Sequence, residues 1–179
     1  MRAPVTARRI EVRALRPEDD RTRFRSGDPD LDRFFLRFAG QSQFKHHLGV
    51  TYVAVEGGTI LGFATVAAAQ IEAMAQPPAQ AAGMPRHPRP VVRIGRLAVS
   101  EAARGLGVGQ LLVRFVLALG HATAPQIGCV GILVDAKLGA VGFYEKLGFF
   151  KLGVFAGELG DRPVPTSMFL PLGSVPKGP

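Results

Sequence analysis

Apolar and polar residues alternate from Arg9 to Leu15, with Ile10, Val12 and Ala14 set against Glu11 and Arg13, which predicts a short half-exposed strand. Past the charged turn at Arg16-Pro17, the run Ser26-Gly27-Asp28-Pro29 reads as a helix start. Asp28 is the N-cap and Pro29 takes the first helical position. Leu31, Phe34, Phe35 and Phe38 follow at i, i+3, i+4 and i+7, so the spacing predicts an amphipathic helix with an aromatic inner stripe. Residues 51–56 and 59–69, joined by Gly57-Gly58, predict a β-hairpin. Residues 74–90 are rich in proline and alanine and have no period, which predicts a surface loop carrying His87. Residues 91–99 form the next strand. Val92 and Ile94 share one parity while Leu97 and Val99 have the other, so a strand burying one face throughout needs a β-bulge near Gly95. Such a bulge frees main-chain groups of Leu97, Ala98 and Val99 for a ligand.

Leu111, Leu112, Phe115, Val116 and Leu119 recur at helical spacing, and the helix is expected to end near Gly120. The nearly unbroken apolar run 128–134 reads as a central strand buried on both faces. A short helix over 138–147, closed by Gly148, precedes a final strand pair at 149–155 and 166–172. Residues 174–179 read as a frayed tail, and the whole chain, 1–179, as one domain.

Between the 91–99 strand and the helix lies Arg104-Gly105-Leu106-Gly107-Val108-Gly109. Glycines at alternate positions allow φ > 0 and let amides face a ligand without Cβ interference. A helix starting directly afterwards adds unpaired N–H groups and a positive dipole end, so the turn suits a diphosphate. No Lys-Ser/Thr follows, which argues against a P-loop NTPase, and the third glycine comes one residue too early for a dinucleotide fingerprint.

The formal net charge of +8 changes the picture more than composition does. Between Glu72 and Asp135 the only acid is Glu101, set against Arg86, Arg89, Arg93, Arg96, Arg104 and Arg114. That excess points to a polyanionic partner: cofactor phosphates, a nucleic acid or an acidic protein. The N-terminus is Arg-rich but carries Glu11, Glu18, Asp19 and Asp20 and no apolar core, so neither signal nor transit peptide is expected. The apolar stretch 111–119 is interrupted by Arg114 and too short for a membrane span, so no membrane partner is expected. Cys129 reads as a buried structural thiol, which suits a reducing cytoplasm.

The loop also matches Arg/Gln-x-x-Gly-x-Gly/Ala, the acyl-CoA diphosphate signature of the GNAT superfamily of N-acetyltransferases. Downstream, Phe143-Tyr144-Glu145-Lys146-Leu147-Gly148-Phe149 resembles the superfamily's second characteristic element. Further similarity lies in residues 24–35 and 39–43, in Thr51-Tyr52-Val53-Ala54-Val55, in Arg96-Leu97-Ala98-Val99 and in Met168-Phe169-Leu170-Pro171-Leu172. These segments resemble the GNAT toxins of type II toxin–antitoxin pairs. The resemblance implies an α/β GNAT fold: a mixed sheet of about six to seven strands with about four helices, splayed between two central parallel strands. It implies acetyl-CoA as co-substrate with no metal, aminoacyl-tRNA as acceptor, a ribbon-helix-helix antitoxin as partner, and a homodimer.

Transfer from an acetyl thioester to an amine needs a diphosphate site, a polarised carbonyl, a proton for the departing thiolate, and a neutral amine. The amides of Arg104 to Gly109 supply the first, and an amide within Leu97 to Val99 supplies the second. Carried over from the family pattern, Tyr144 supplies the third, since a phenol with a pKa of about 10 stays protonated at neutral pH. Glu56, Glu72, His121 and Asp135 are available bases, and nothing in the sequence sets any of them beside the amine. Arg86, Arg89, Arg93 and Arg96 are the candidate tRNA contacts. Two other readings stay open: a GNAT acting on a small-molecule or protein amine, and a CoA-binding module without activity.

Overall fold

The computed structural model describes residues 9–72, 83, 86–153 and 165–174. Seven strands form one mixed sheet in the order β1-β2-β3-β4-β5-β7-β6. They are β1 (Glu11–Ala14), β2 (Val50–Glu56), β3 (Thr59–Ile71), β4 (Arg89–Val99), β5 (Gly131–Ala136), β6 (Phe150–Lys151) and β7 (Thr166–Pro171). β1 runs antiparallel to β2, and β7 runs antiparallel to both β5 and β6. β4 and β5 are the parallel pair, as expected. Gly57 and Gly58 turn the β2–β3 hairpin at φ of 55° and 82°, the two positive values that a two-residue I′ turn demands.

The chain divides into two compact units, residues 1–65 with 96–113, and residues 66–95 with 114–179. In the first, a core of Leu15, Phe24, Phe34, Phe35, Ala39, Val53, Val55, Ile60, Phe63 and Ala98 is dominated by aromatic rings. Phe35 stacks on Phe63 with centroids 4.3 Å apart, and Phe24 meets both rings edge-on. The helix α1 (Pro29–Arg33) starts as expected, with Asp28 accepting from the amides of Asp30 and Leu31. It then continues through two π-helical segments, Phe34–Phe38 and Gln41–Lys45. Each wider turn delays the inward position by a residue. Phe34 and Phe35 are buried, but Phe38 is 46% exposed and Ala39 takes its place in the core. The expected stripe is thus corrected at its last member. The same drift brings Gln43 inward, where it donates to the Leu15 carbonyl (3.1 Å) and accepts from the Thr51 amide (2.8 Å).

In the second unit, Ile71, Val91, Leu152 and Phe169 form the centre of a smaller core. Gly131 is required there, because a Cβ would lie 2.3 Å from the Phe169 ring. Two sequence expectations change. The helix α2 (Val108–Ile127) does not stop at Gly120, which is a packing glycine whose Cβ would meet Ile132 at 2.9 Å. The helix ends at Gly128, with φ of 89° and an amide bonded to the Ala124 carbonyl, as a left-handed cap requires. α2 has the length and hydropathy of a membrane-crossing helix, yet Leu112, Val113 and Val116 are buried inside the protein.

β4 begins at Arg89 rather than Val91. Along β4, Val91, Val92, Ile94 and Ala98 are buried and Leu97 and Val99 are partly covered, while Gly95 and Arg96 are exposed in succession, at the place where the bulge is expected. The helix α3 (Val141–Lys146) follows a 3-10 turn and closes at Gly148, at φ of 93°. Most of the expected loop at 74–90, the end of the 149–155 strand and residues 175–179 of the tail lie outside the described residues.

Candidate active site

The glycine loop is held from below by three hydrogen bonds to main-chain carbonyls in the first unit. The Ser100 amide donates to the Leu61 carbonyl of β3 (2.8 Å), and the Glu101 amide donates to the Arg25 carbonyl (2.8 Å). The Arg104 guanidinium folds back to donate to the Ser26 carbonyl at 2.6 Å. Buried Ala103 and Val108 pin the two ends of the turn. Gly62 lets α2 settle on β3, because a Cβ there would lie 2.9 Å from the Ala98 carbonyl oxygen and from the Val108 side chain.

Above these anchors the loop presents main chain. Gly105 and Gly107 stand at φ of 78° and 77°, with nothing within 4 Å of where a Cβ would sit. The amides of Gly105, Gly107, Val108, Gly109 and Gln110 donate to no acceptor among the described residues. Five unbonded N–H groups at the start of a 20-residue helix make a cradle for a diphosphate, and the residues present fit the phosphates of acetyl-CoA. Leu106 points outward at 44% exposure, and Arg104 is occupied below, so the cradle owes nothing to their side chains.

Leu97, Ala98 and Val99 lie on β4 just past Gly95, where the bulge is expected. Among the described residues the pairing of β4 with β5 ends at Ile94 and Val134, so the main chain of β4 beyond that point has no ladder partner in β5.

Tyr144 lies on α3 in the second unit, 4% exposed, between the edges of Phe143 (5.0 Å) and Phe149 (5.3 Å). Its hydroxyl has no hydrogen-bond partner among the described residues. Burial pushes the phenol up to about 12, which keeps it protonated at any physiological pH. Its phenol is thereby held in the neutral, protonated form that the family pattern calls for at this position.

The arginines chosen from sequence meet different fates. Arg86 is exposed, but Arg89 is 6% exposed. Arg93 forms an ion pair with Asp135, whose other oxygen accepts from the Ser167 hydroxyl (2.7 Å). Arg96 lies 3.8 Å above the Phe34 ring. Asp135 is therefore partnered through both carboxylate oxygens. No group of three or more His, Cys, Asp and Glu side chains able to hold a metal occurs among the described residues. The supports that sequence reading missed are the carbonyls of Arg25 and Ser26, which lie more than 70 positions from the loop and carry no local signal.

Residues 11–149 match the model of the acetyltransferase (GNAT) family. A tRNA-acetylating toxin of Mycobacterium tuberculosis (strain ATCC 25618 / H37Rv) is 32% identical over 124 residues, covering 69% of this chain and 74% of that protein. Among solved structures, AtaT complexed with acetyl-methionyl-tRNAfMet superposes with a TM-score of 0.80 at 24% identity, covering 93% of this chain and 96% of that one. A tyrosine-to-phenylalanine variant of AtaT, bound to acetyl-CoA and the C-terminus of the antitoxin AtaR, gives 0.72 at 22% identity, covering 93% and 95%. The amide cradle and the family match agree: the chain belongs to the GNAT family of acetyl-CoA-dependent acetyltransferases.

Proposed function

We propose that the enzyme transfers the acetyl group of acetyl-CoA to the α-amine of aminoacyl-tRNA in the cytoplasm, blocking translation as the toxin of a toxin–antitoxin pair. The observation that carries acetyl transfer is the row of five unbonded amides at the head of α2. The acceptor is supported by the likeness to a tRNA-acetylating toxin and by the net charge of +8. A ribbon-helix-helix antitoxin and a homodimer belong to the same reading.

Acetyl-CoA supplies an acetyl thioester, whose carbonyl an amine attacks and whose thiolate departs. The amides of residues 105 and 107–110, with the dipole of α2, hold the diphosphate and fix the donor's position. Main-chain N–H groups within Leu97 to Val99 orient the acyl arm and stabilise charge on the carbonyl oxygen, a contribution of about 3–4 kcal/mol in comparable oxyanion sites. The Tyr144 hydroxyl gives its proton to the leaving sulfur and recovers one from the ammonium formed on the product nitrogen. No base is assigned. An α-amine with a pKa of about 8 has an appreciable neutral fraction at pH 7, which a lysine at about 10.4 lacks.

The test is incubation of the purified enzyme with labelled acetyl-CoA and bulk aminoacyl-tRNA, beside a polyamine and a lysine-bearing peptide. Label on the α-amine of tRNA-borne amino acid is the expected result. Label on the polyamine or peptide alone overturns the acceptor, and no label on any acceptor makes the chain a binding module.

A further inference from the structure

A second basic feature of the first unit remains unused. Arg25, Arg33 and Arg37, with Leu36 and Asp32, line a concavity on the outer side of the 29–45 helical run. The Arg25 guanidinium is fixed by the carbonyls of Thr22 (2.9 Å) and Phe24 (2.7 Å). Arg33 has only a 3.5 Å contact with exposed Asp30, and Arg37 makes no bond among the described residues. The single lining acid, Asp32, already accepts from the amide and hydroxyl of Ser26. Three guanidiniums thus line one hollow against a single lining carboxylate, Asp32, with exposed Asp30 in loose contact with Arg33. The segment that carries Arg25 also supports the glycine loop, through the Arg25 and Ser26 carbonyls.

We propose that this concavity binds a phosphodiester of the acceptor RNA, held by Arg33 and Arg37 with Arg25 as a fixed third donor, on the segment that also props the acetyl-CoA loop. The inference rests on the proposed acceptor class and adds where the RNA strand is gripped. Planar guanidinium forks match phosphate oxygens in pairs. Leu36 is the only apolar residue in the lining, so an acidic peptide would find no pocket for an anchoring side chain, whereas a nucleic-acid backbone needs none. By contrast Arg89, Arg93 and Arg96 are already buried, ion-paired or laid over an aromatic ring.

The experiment compares wild type with the double variant Arg33→Ala/Arg37→Ala. Binding of bulk deacylated tRNA is titrated across salt concentrations, poly-L-glutamate binding is titrated likewise, and acetyl-CoA binding is followed by calorimetry. The expected result is about a tenfold loss of tRNA affinity near physiological salt. The slope of log K against log salt should shrink by about 1–2, with acetyl-CoA affinity within twofold of wild type. Arg37→Gln, which has no bond to lose, should move the slope the same way by about half. An unchanged tRNA slope overturns the proposal. So does a loss confined to poly-L-glutamate, which assigns the hollow to an acidic protein, or one confined to acetyl-CoA, which assigns it to the cofactor's own phosphate. If wild type binds tRNA through these arginines yet acetylates no aminoacyl-tRNA, the acceptor reading fails and the RNA site stands.

Discussion

The glycine loop at 104–109 and the helical run at 29–45 belong to the same compact unit but are built in opposite ways. The loop presents main chain, with amides that donate to no acceptor among the described residues. Its side chains are turned out, like Leu106, or turned back, like Arg104. The helical run works through side chains: Phe34, Phe35 and Ala39 fill the core, and Gln43 ties β1 to β2. A main-chain site depends on torsion angles, whereas a side-chain stripe depends on helical phase. The two regions should therefore fail under different substitutions.

The largest effect is expected at Phe35, which is fully buried and stacked on Phe63. Phe35→Ala should cost about 3–5 kcal/mol in denaturant unfolding, while Phe38→Ala, on the exposed side of the π turn, should cost less than about 0.5 kcal/mol. Equal costs would mean that the helix keeps a plain α-helical phase. In the loop the contrast reverses. Gly107→Ala meets no atom within 4 Å, so its penalty is purely torsional, about 1–2 kcal/mol for a non-glycine residue at φ of 77°. Acetyl-CoA affinity by calorimetry should fall about tenfold, and Leu106→Ala should leave it within twofold. A loss at Leu106 matching that at Gly107 would show that the loop binds through side chains after all.

The smallest effect is a pH dependence near β1. The Arg13 guanidinium, bonded to both Asp19 oxygens at 2.8 Å, holds the Asp19 carboxyl below its usual range. A depressed folded pKa means stability that is present above the unfolded value of about 3.9 and lost as pH falls through the folded one. Asp19→Asn should thus cost most at neutral pH, and the gap to wild type should close below about pH 4. A gap independent of pH would make the contribution one of packing.

The same contrast decides what was legible in the sequence. Alternate glycines before an apolar helix gave away the loop, because main-chain geometry needs glycine at fixed places and glycine can be read directly. The β2–β3 hairpin and the Asp28 cap were equally plain. Phase errors escaped detection: a wider turn after Arg33 moves Phe38 outward, and no residue type announces a π turn. Gly120 looked like a stop because glycine serves both caps and close packing, and only the Ile132 contact tells which. The β4–β5 register ends at Ile94, next to the place where the parity of Val92, Ile94, Leu97 and Val99 puts a bulge. The props under the loop, and the Arg25–Arg33–Arg37 hollow, depend on chain crossings that no local pattern encodes.

The central claim is a division of labour in which amides grip the donor and one buried phenol supplies the proton. Tyr144→Phe tests it most directly, with kcat measured on the labelled acceptor and acetyl-CoA affinity measured by calorimetry. The account predicts a fall in kcat of at least about a hundredfold with affinity within twofold of wild type. An unchanged kcat, or a loss lying wholly in acetyl-CoA affinity, would contradict it.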